Sequence, residues 1–139
     1  MAQSLTSAED GQRYIASTQV DILAHAVGNM HGMLKSMVRG ETRKHLDVAR
    51  IAAIKGATGA LLTLHGGSGT EDEDLRKAIG AGINIIHINT ELRVAWKHGL
   101  EQALAMQPDE VTPHKVLAPV VESVRQVARS RLKLFNQGS

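Results

Sequence analysis

The 139-residue sequence contains no cysteine, and only 2% of its residues are aromatic. The lack of cysteine excludes disulfides, thiolate nucleophiles and cysteine-based zinc sites. Few aromatic side chains are available to stack on bases, and the 16 basic residues are interleaved with 14 acidic ones instead of forming one basic face. We therefore expect a protein that does not bind nucleic acid.

Long apolar runs are also missing, because no stretch reaches the length that crosses a bilayer. The first residues lack a basic region followed by an apolar stretch, so we expect no secretory signal there. With 42% hydrophobic residues the chain can still form a core. These features predict a cytoplasmic protein with no membrane partner, folded as a single domain over residues 1–139.

Apolar strands alternate with helical patterns along the chain. Strands are predicted at 20–27, 59–65 and 83–89, each a nearly continuous apolar run. Such runs are typical of parallel strands that are covered on both faces. Alternation of strand and helix predicts parallel β/α units with right-handed crossovers. The expected fold class is therefore α/β.

Start signals predict helices before the first strand and between the strands. Thr6 with Glu9 has the spacing of a capping box at a helix N-terminus, and so has Thr70 with Glu73. Apolar residues at helical spacing predict a further helix over 46–58.

The rest of the chain contains two further helices and one long loop. The third strand passes through Thr90 directly into a helix, and the last helix is predicted over 119–135, with Pro119 in its first turn. The loop that follows the first strand is too long to be a simple connection, and such loops are usually functional or mobile.

A histidine lies near the end of each predicted strand: His31 after the first, His65 at the end of the second and His87 within the end of the third. Ligands bind at the carboxyl ends of parallel strands, and neutral imidazoles that converge there suit a divalent transition metal, especially zinc. A single histidine would more often be a polar residue satisfied by the backbone, but three in register favour a metal site. His25 lies within the first predicted strand and is expected to be a core or helix-facing residue. Three others are expected at the surface: His45, His98 and His114.

The segment LHGGSGT, at the end of the second strand, has glycine at three positions: Gly66, Gly67 and Gly69. Glycines there permit positive φ and let backbone N–H groups approach an anion. Ser68 adds a hydroxyl, and the helix N-terminus after Thr70 adds a favourable dipole. The alternative is a tight strand-to-helix turn that needs glycine for geometry alone. Phosphate is the ligand that we expect here.

The motifs GNMHGMLK, LHGGSGT and HINTELR resemble those of the class II, metal-dependent fructose-bisphosphate and tagatose-bisphosphate aldolases, in the same order and spacing. The resemblance covers essentially the whole chain and implies the last three strands of a (β/α)8 TIM barrel. It implies reversible cleavage of a phosphorylated ketose, such as fructose 1,6-bisphosphate, to dihydroxyacetone phosphate and an aldehyde phosphate. The cofactor would be Zn2+, polarising the ketone and stabilising the enediolate. The resemblance also leaves room for a monovalent cation.

Individual residues take expected roles from the same resemblance. His31 and His65 match zinc ligands, and Arg93 matches a residue that reaches the substrate of a neighbouring subunit. Together with the glycine loop, the residues expected to bind substrate or phosphate are Gly32, Lys35, Gly66, Gly67, Ser68, His87, Asn89, Thr90 and Arg93. Lys35 and Arg93 would otherwise be ordinary solvated side chains.

Three departures from the family pattern bear on function. His87 stands where the family usually has a substrate-contacting Asn, so its imidazole either contacts substrate or becomes a third metal ligand. Asn89 occupies a position that helps to separate fructose from tagatose configurations, which leaves the sugar open. The family's catalytic Asp lies on an early strand that has no counterpart here, so we expect the base from a missing N-terminal half or from another subunit of a homo-oligomer. The alternatives are a non-catalytic phosphate- or metal-binding half-barrel module and an inactive remnant.

Overall fold

The computed structural model describes residues 5–136. The elements found there are β1 (Ile22–Ala24), β2 (Leu61–Leu64), β3 (Ile83–Ile86), α1 (Ala8–Thr18), α2 (Lys35–Val38), α3 (Val48–Thr58), α4 (Asp72–Gly80), α5 (Thr90–Met106) and α6 (Pro113–Phe135). The chain divides into two compact units, the first ending at Ile88 and the second beginning at Asn89. Folding as one domain over 1–139 therefore stays a prediction. None of the described helices is long and apolar enough to cross a membrane.

The strands of the first unit form one parallel sheet in the order β1–β2–β3. Leu23 of β1 pairs with Leu62 of β2, and Leu62 pairs with Ile83 of β3 before a register irregularity at Thr63. This arrangement confirms the α/β class and the parallel β/α units. The strands are shorter than predicted because ladder pairing ends before the apolar run does.

One face of the sheet is covered by helices. A Cβ atom at Gly11 of α1 would lie 3.4 Å from Leu23 of β1 and 3.4 Å from Ile54 of α3, so both helices pack closely on this face. On the opposite face the paired Ile22 and Leu61 are each 45% exposed. The prediction that both faces of the sheet are covered is therefore wrong at Ile22 and Leu61. The helices α1 and α3 lie on the other face, with Leu23.

The start of α1 differs from the predicted capping box by one residue. Ser7 is the N-cap, and its hydroxyl accepts a hydrogen bond from the Asp10 N–H at 3.0 Å. The hydroxyl of Thr6 instead accepts from the Ala26 N–H at 2.9 Å. The box between Thr6 and Glu9 was wrong because Thr6 is engaged with the segment after β1.

The second predicted capping box, Thr70 with Glu73, is also wrong. The N-cap of α4 is Glu71, whose side chain makes no capping hydrogen bond. Thr70 is buried and forms a parallel bridge with Lys44, and its hydroxyl has no hydrogen-bond partner among the described residues. Burial of Thr70 in this bridge removes it from the helix start.

The second unit consists of α5 and α6, which pack antiparallel. A Cβ atom at Gly99 would lie 2.8 Å from the Ser123 hydroxyl, so the helices approach closely there. The start of α5 at Thr90 confirms the prediction, but the predicted start of α6 at Pro119 is wrong. Pro113 occupies the first turn of α6, and Pro119 lies inside the helix. Val116 and Val120, on either side of Pro119, are buried with Ala103 of α5, and this packing stabilises the helix through the proline.

Candidate functional site

Three histidine rings meet at the carboxyl ends of the strands of the first unit. His65 and His87 directly follow β2 and β3, and His31 lies in the loop between β1 and α2. The ring centroids of His31 and His65 are 5.7 Å apart. Those of His65 and His87 are 4.3 Å apart, with the rings almost perpendicular at 84°. The structure thus brings together the three histidines that the strand ends singled out.

One contact in this group joins two ring nitrogens. His65 Nδ1 and His87 Nδ1 lie 3.4 Å apart. Two lone pairs that face each other repel, so this contact requires either a proton on one nitrogen or a cation between them. Over residues 5–136, no group of three or more His, Asp or Glu side chains is placed to bind a metal.

Main-chain pairing fixes the backbone of His87 next to the glycine loop. The His87 N–H donates to the Leu64 carbonyl at 3.0 Å, and the Gly67 N–H donates to the His87 carbonyl at 3.1 Å. A Cβ atom at Gly67 would lie 3.0 Å from the Ile86 side chain. Gly67 therefore serves the geometry of the turn, and its N–H is engaged within the protein.

Gly66 brings the loop of His31 against the loop of His65. Its φ is +67°, and a Cβ atom there would lie 2.3 Å from the Met30 carbonyl oxygen. A side chain would be strained by the backbone angle and would also collide with main chain. The absence of a side chain at this position is thus explained by close approach, without any need for a ligand.

Two residues that the sequence did not single out hold the backbone around His65. The Asn29 side chain accepts from the Val27 N–H and donates to the His65 carbonyl, both at 2.9 Å. The Lys44 ammonium donates to the Met30 carbonyl at 2.7 Å and to the Gly66 carbonyl at 2.9 Å. The length of the loop after β1 was the one sequence signal for them.

The remaining candidates of the first unit are distributed around these loops. Gly32, next to His31, has a φ of +77° with no atom within 4 Å of where a Cβ would stand, so it is open to a ligand. Lys35 begins the short helix α2 and is exposed. Ser68 is only 3% exposed.

Candidates in the second unit lie at the start of α5. Asn89 is the N-cap residue and Thr90 the first helical residue. Arg93 is exposed, and its N–H donates to the Asn89 carbonyl at 3.2 Å. The first N–H groups of a helix have no partner within the helix, so this end is chemically suited to an anion.

The other histidines lie where the sequence predicted. His25 is 5% exposed, and burial lowers the pKa of its imidazole. The exposed ones are His45, His98 and His114. His45 contacts the Asp74 carboxylate at 3.0 Å, and this pair lies at the surface.

Comparison with known proteins relates the full chain to one enzyme family. The model of the family described as fructose-bisphosphate aldolase class-II matches residues 1–139. The fructose-bisphosphate aldolase of Thermus caldophilus is 34% identical over an alignment of 152 positions. This alignment covers 94% of this chain and 48% of that protein. The 6-phospho-5-dehydro-2-deoxy-D-gluconate aldolase of Shouchella clausii is 36% identical over 127 residues, which cover 91% of this chain and 41% of that protein.

A solved structure supports the same relationship. The crystal structure of the YdjI aldolase from Escherichia coli K12 superposes with a TM-score of 0.76 at 30% identity, covering 95% of this chain and 46% of that one. The chain thus spans about half the length of the relatives it matches. The match confirms that the parallel β/α units share the fold of an aldolase over about half of that protein; their correspondence to the last three strands of a barrel stays a prediction.

Proposed function

We propose, starting from the fact that the chain belongs to the class II fructose-bisphosphate aldolase family, that it forms the C-terminal part of a metal-dependent aldolase acting on a phosphorylated ketose. The observation that carries the proposal is the convergence of His31, His65 and His87 at the carboxyl ends of three parallel strands. Ligands and catalytic groups lie at this face in barrels of parallel strands.

The histidine group is suited to part of a zinc site. In tetrahedral zinc with Zn–N bonds of about 2.1 Å, adjacent nitrogen ligands are about 3.4 Å apart. The separation of 3.4 Å between His65 Nδ1 and His87 Nδ1 fits that edge. We propose His31 and His65 as ligands from the resemblance. The three rings as they stand do not form a complete three-ligand site among the described residues, so the distance makes His87 a candidate third ligand beside its alternative role as a substrate contact. When bound, Zn2+ would supply Lewis-acid polarisation of the substrate ketone.

The neighbouring loops are proposed to hold the phosphorylated end of the substrate. Gly32 leaves open space beside His31, and Lys35 offers an exposed ammonium. Gly66 and Ser68 stay proposed phosphate contacts from the resemblance. Gly67 remains in the proposed set, but the role that its contacts support is holding the His87 carbonyl.

The second unit contributes candidates of its own. Thr90 begins a helix of 17 residues, whose N-terminus favours anionic groups. Arg93 is exposed and can form a bidentate contact with phosphate. Together with Asn89, these residues are proposed to contact substrate, with Arg93 directed to a neighbouring subunit as the resemblance implies.

Proton transfer is the step that these residues do not supply. The proposed site contains imidazoles, glycines and cationic or neutral side chains, and no carboxylate that could act as a general base. The base must lie within hydrogen-bond reach of the substrate. We therefore propose that it comes from the missing N-terminal half or from another copy of the chain, in a cytoplasmic enzyme.

The identity of the ketose stays open within one chemical class. The two relatives are named for fructose bisphosphate and for a 6-phospho-gluconate derivative, and both names contain a phosphate ester. Substrates that share a phosphorylated end and differ at the opposite end agree with a phosphate site in this chain. Fructose 1,6-bisphosphate is the substrate to test first.

Zinc binding tests the proposal directly. Calorimetric titration of the full chain should show one Zn2+ per chain, with affinity at least about tenfold weaker in His65→Ala. His114→Ala is the matched control, because that ring is exposed on α6, and its zinc affinity should equal that of the wild type. His87→Asn distinguishes the two roles of that residue, since a ligand loses zinc affinity and a substrate contact does not. Equal affinities in wild type and His65→Ala would overturn the zinc proposal.

Cleavage then separates the enzyme from the half-barrel module. Mixing the chain with a separately produced N-terminal half of the Thermus relative should restore cleavage of fructose 1,6-bisphosphate, and His31→Ala should abolish it. Phosphate binding without cleavage in any mixture would favour the module.

A further inference from the structure

Lys44 is a charged residue in the interior of the first unit. Its side chain and backbone together are only 4% exposed. Lysine is almost never fully buried unless its ammonium is paired with polar groups. The partners of this ammonium therefore indicate what it does.

The ammonium of Lys44 joins the two histidine loops. It donates to the carbonyl of Met30, the residue before His31, at 2.7 Å. It also donates to the carbonyl of Gly66, the residue after His65, at 2.9 Å. A single cation thus contacts the main chain directly beside both proposed zinc ligands.

The backbone of Lys44 fixes where this cation lies. The Lys44 N–H donates to the Gly69 carbonyl at 2.8 Å, and the Glu71 N–H donates to the Lys44 carbonyl at 3.0 Å. These bonds form the parallel bridge between Lys44 and Thr70. The backbone of Lys44 is therefore fixed beside the glycine loop, and its side chain reaches from there to the Met30 and Gly66 carbonyls.

Close approach of the two loops favours a cation between their carbonyls. The Met30 carbonyl oxygen lies only 2.3 Å from where a Cβ atom of Gly66 would stand, and the Met30 and Gly66 carbonyls both accept from the Lys44 ammonium. Two carbonyl dipoles that point toward the same spot repel each other unless a positive charge lies between them. Backbone carbonyls arranged in this way are also the ligands of free monovalent cations such as K+.

We infer that Lys44 is a positioning residue whose ammonium acts as a built-in monovalent cation and sets the backbone of His31 and His65. The expected effect of Lys44 on zinc affinity rests on the proposed function, whereas its effect on the histidine backbone does not. A tethered ammonium is present at high effective concentration, so no free cation is needed at these two carbonyls.

Two substitutions of Lys44 separate charge from packing. Lys44→Met keeps the length and removes the charge, and Lys44→Ala leaves space for a small cation. Without zinc, we expect Lys44→Met to shift the imidazole NMR signals of His31 and His65. With zinc, we expect an affinity loss of at least about tenfold. In Lys44→Ala, ammonium or potassium chloride should restore signals and affinity, whereas choline chloride at equal ionic strength should not.

Lys55→Met is the matched control. Lys55 Nζ also donates to a carbonyl at 2.7 Å, that of Ala60, but at the amino end of β2. Its loss should lower the stability of the chain and leave the histidine signals and zinc affinity unchanged. Histidine signals that move equally in Lys44→Met and Lys55→Met would overturn the positioning role.

Wild-type measurements keep the inference testable if the Lys44 variants do not fold. Zinc affinity of the wild type should be the same in potassium and in choline chloride, and a dependence on K+ would overturn the built-in cation.

If the wild type binds no zinc but Lys44→Met still shifts the histidine signals, the zinc proposal fails and the positioning role stands. If zinc binds equally to wild type and Lys44→Met, the positioning role fails alone.

Discussion

The two ends of strand β2 use the same kinds of residue with different results. At the amino end, Gly59 ends α3 with a φ of +64°. Lys55 Nζ donates to the Ala60 carbonyl at 2.7 Å. The Asn84 side chain accepts from the Leu62 N–H at 3.0 Å. These contacts return the chain from α3 into the sheet and hold β2 against β3.

At the carboxyl end the same three residue types hold a histidine. Gly66 has a φ of +67°. Lys44 Nζ donates to the Gly66 carbonyl at 2.9 Å, and Asn29 donates to the His65 carbonyl at 2.9 Å. What is fixed here is the backbone of His65 and of the residue that follows it, and the His65 ring meets two other imidazole rings.

The comparison teaches that residue type alone does not reveal a functional role. A lysine on a carbonyl, an asparagine on the main chain and a glycine at positive φ occur at both ends. The difference lies in the side chains that the held backbone carries, and in the face of a parallel sheet at which they lie.

Replacing Gly66 and Gly59 with alanine should give the largest difference in stability between the two ends of β2. Gly66→Ala combines an unfavourable φ with a collision against the Met30 carbonyl, and should lower the free energy of unfolding by at least about 3 kcal/mol. Gly59→Ala has a similar φ but no atom within 4 Å of the new Cβ, and should cost about 1 kcal/mol. Urea denaturation followed by circular dichroism measures both. Equal losses would mean that the two histidine loops do not approach as closely in solution.

Alanine at the two asparagines should give similar losses of stability but different effects on the site. Each variant leaves a backbone N–H of a buried residue without its acceptor, that of Val27 for Asn29→Ala and that of Leu62 for Asn84→Ala. Such a loss costs about 1–3 kcal/mol. We expect the His65 imidazole NMR signals to shift in Asn29→Ala alone. A comparable shift in Asn84→Ala would show that the two ends of β2 are not independent.

Local signals in the sequence predicted the sheet and the convergence of the histidines better than the helix starts. Strand–helix alternation and the position of each histidine at a strand end need no knowledge of distant contacts. The capping boxes at Thr6 and Thr70 were wrong because each threonine is engaged elsewhere, Thr6 with Ala26 and Thr70 in the bridge to Lys44.

The residues that hold the site depend on contacts that the sequence does not display. Asn29 reaches a carbonyl 36 positions away, and Lys44 reaches carbonyls 14 and 22 positions away. In sequence, Lys44 looks no different from Lys35, which is exposed in the structure. Burial separates the two, and burial follows from the way in which the loop folds back on the glycine segment.

His25 gives the smallest expected effect and tests whether the carboxyl end also contains purely structural groups. It is buried, its Nε2 has no hydrogen-bond partner among the described residues, and burial lowers the pKa of its imidazole below the usual 6.5. Well above pH 6.5 the ring is neutral in both the folded and the unfolded chain, so its protonation does not affect stability there. As the pH falls below 6.5, the unfolded chain takes up the proton first, and stability decreases until the folded ring is also protonated.

Urea denaturation between pH 8 and pH 5 measures this dependence. Replacing His25 with Gln should flatten the decrease below pH 6.5 by at most about 1.4 kcal/mol per pH unit, the limit for one proton. A profile that is the same in wild type and His25→Gln would mean that His25 reaches solvent in the folded chain. It would then resemble the three meeting histidines more closely than the buried residues of the sheet.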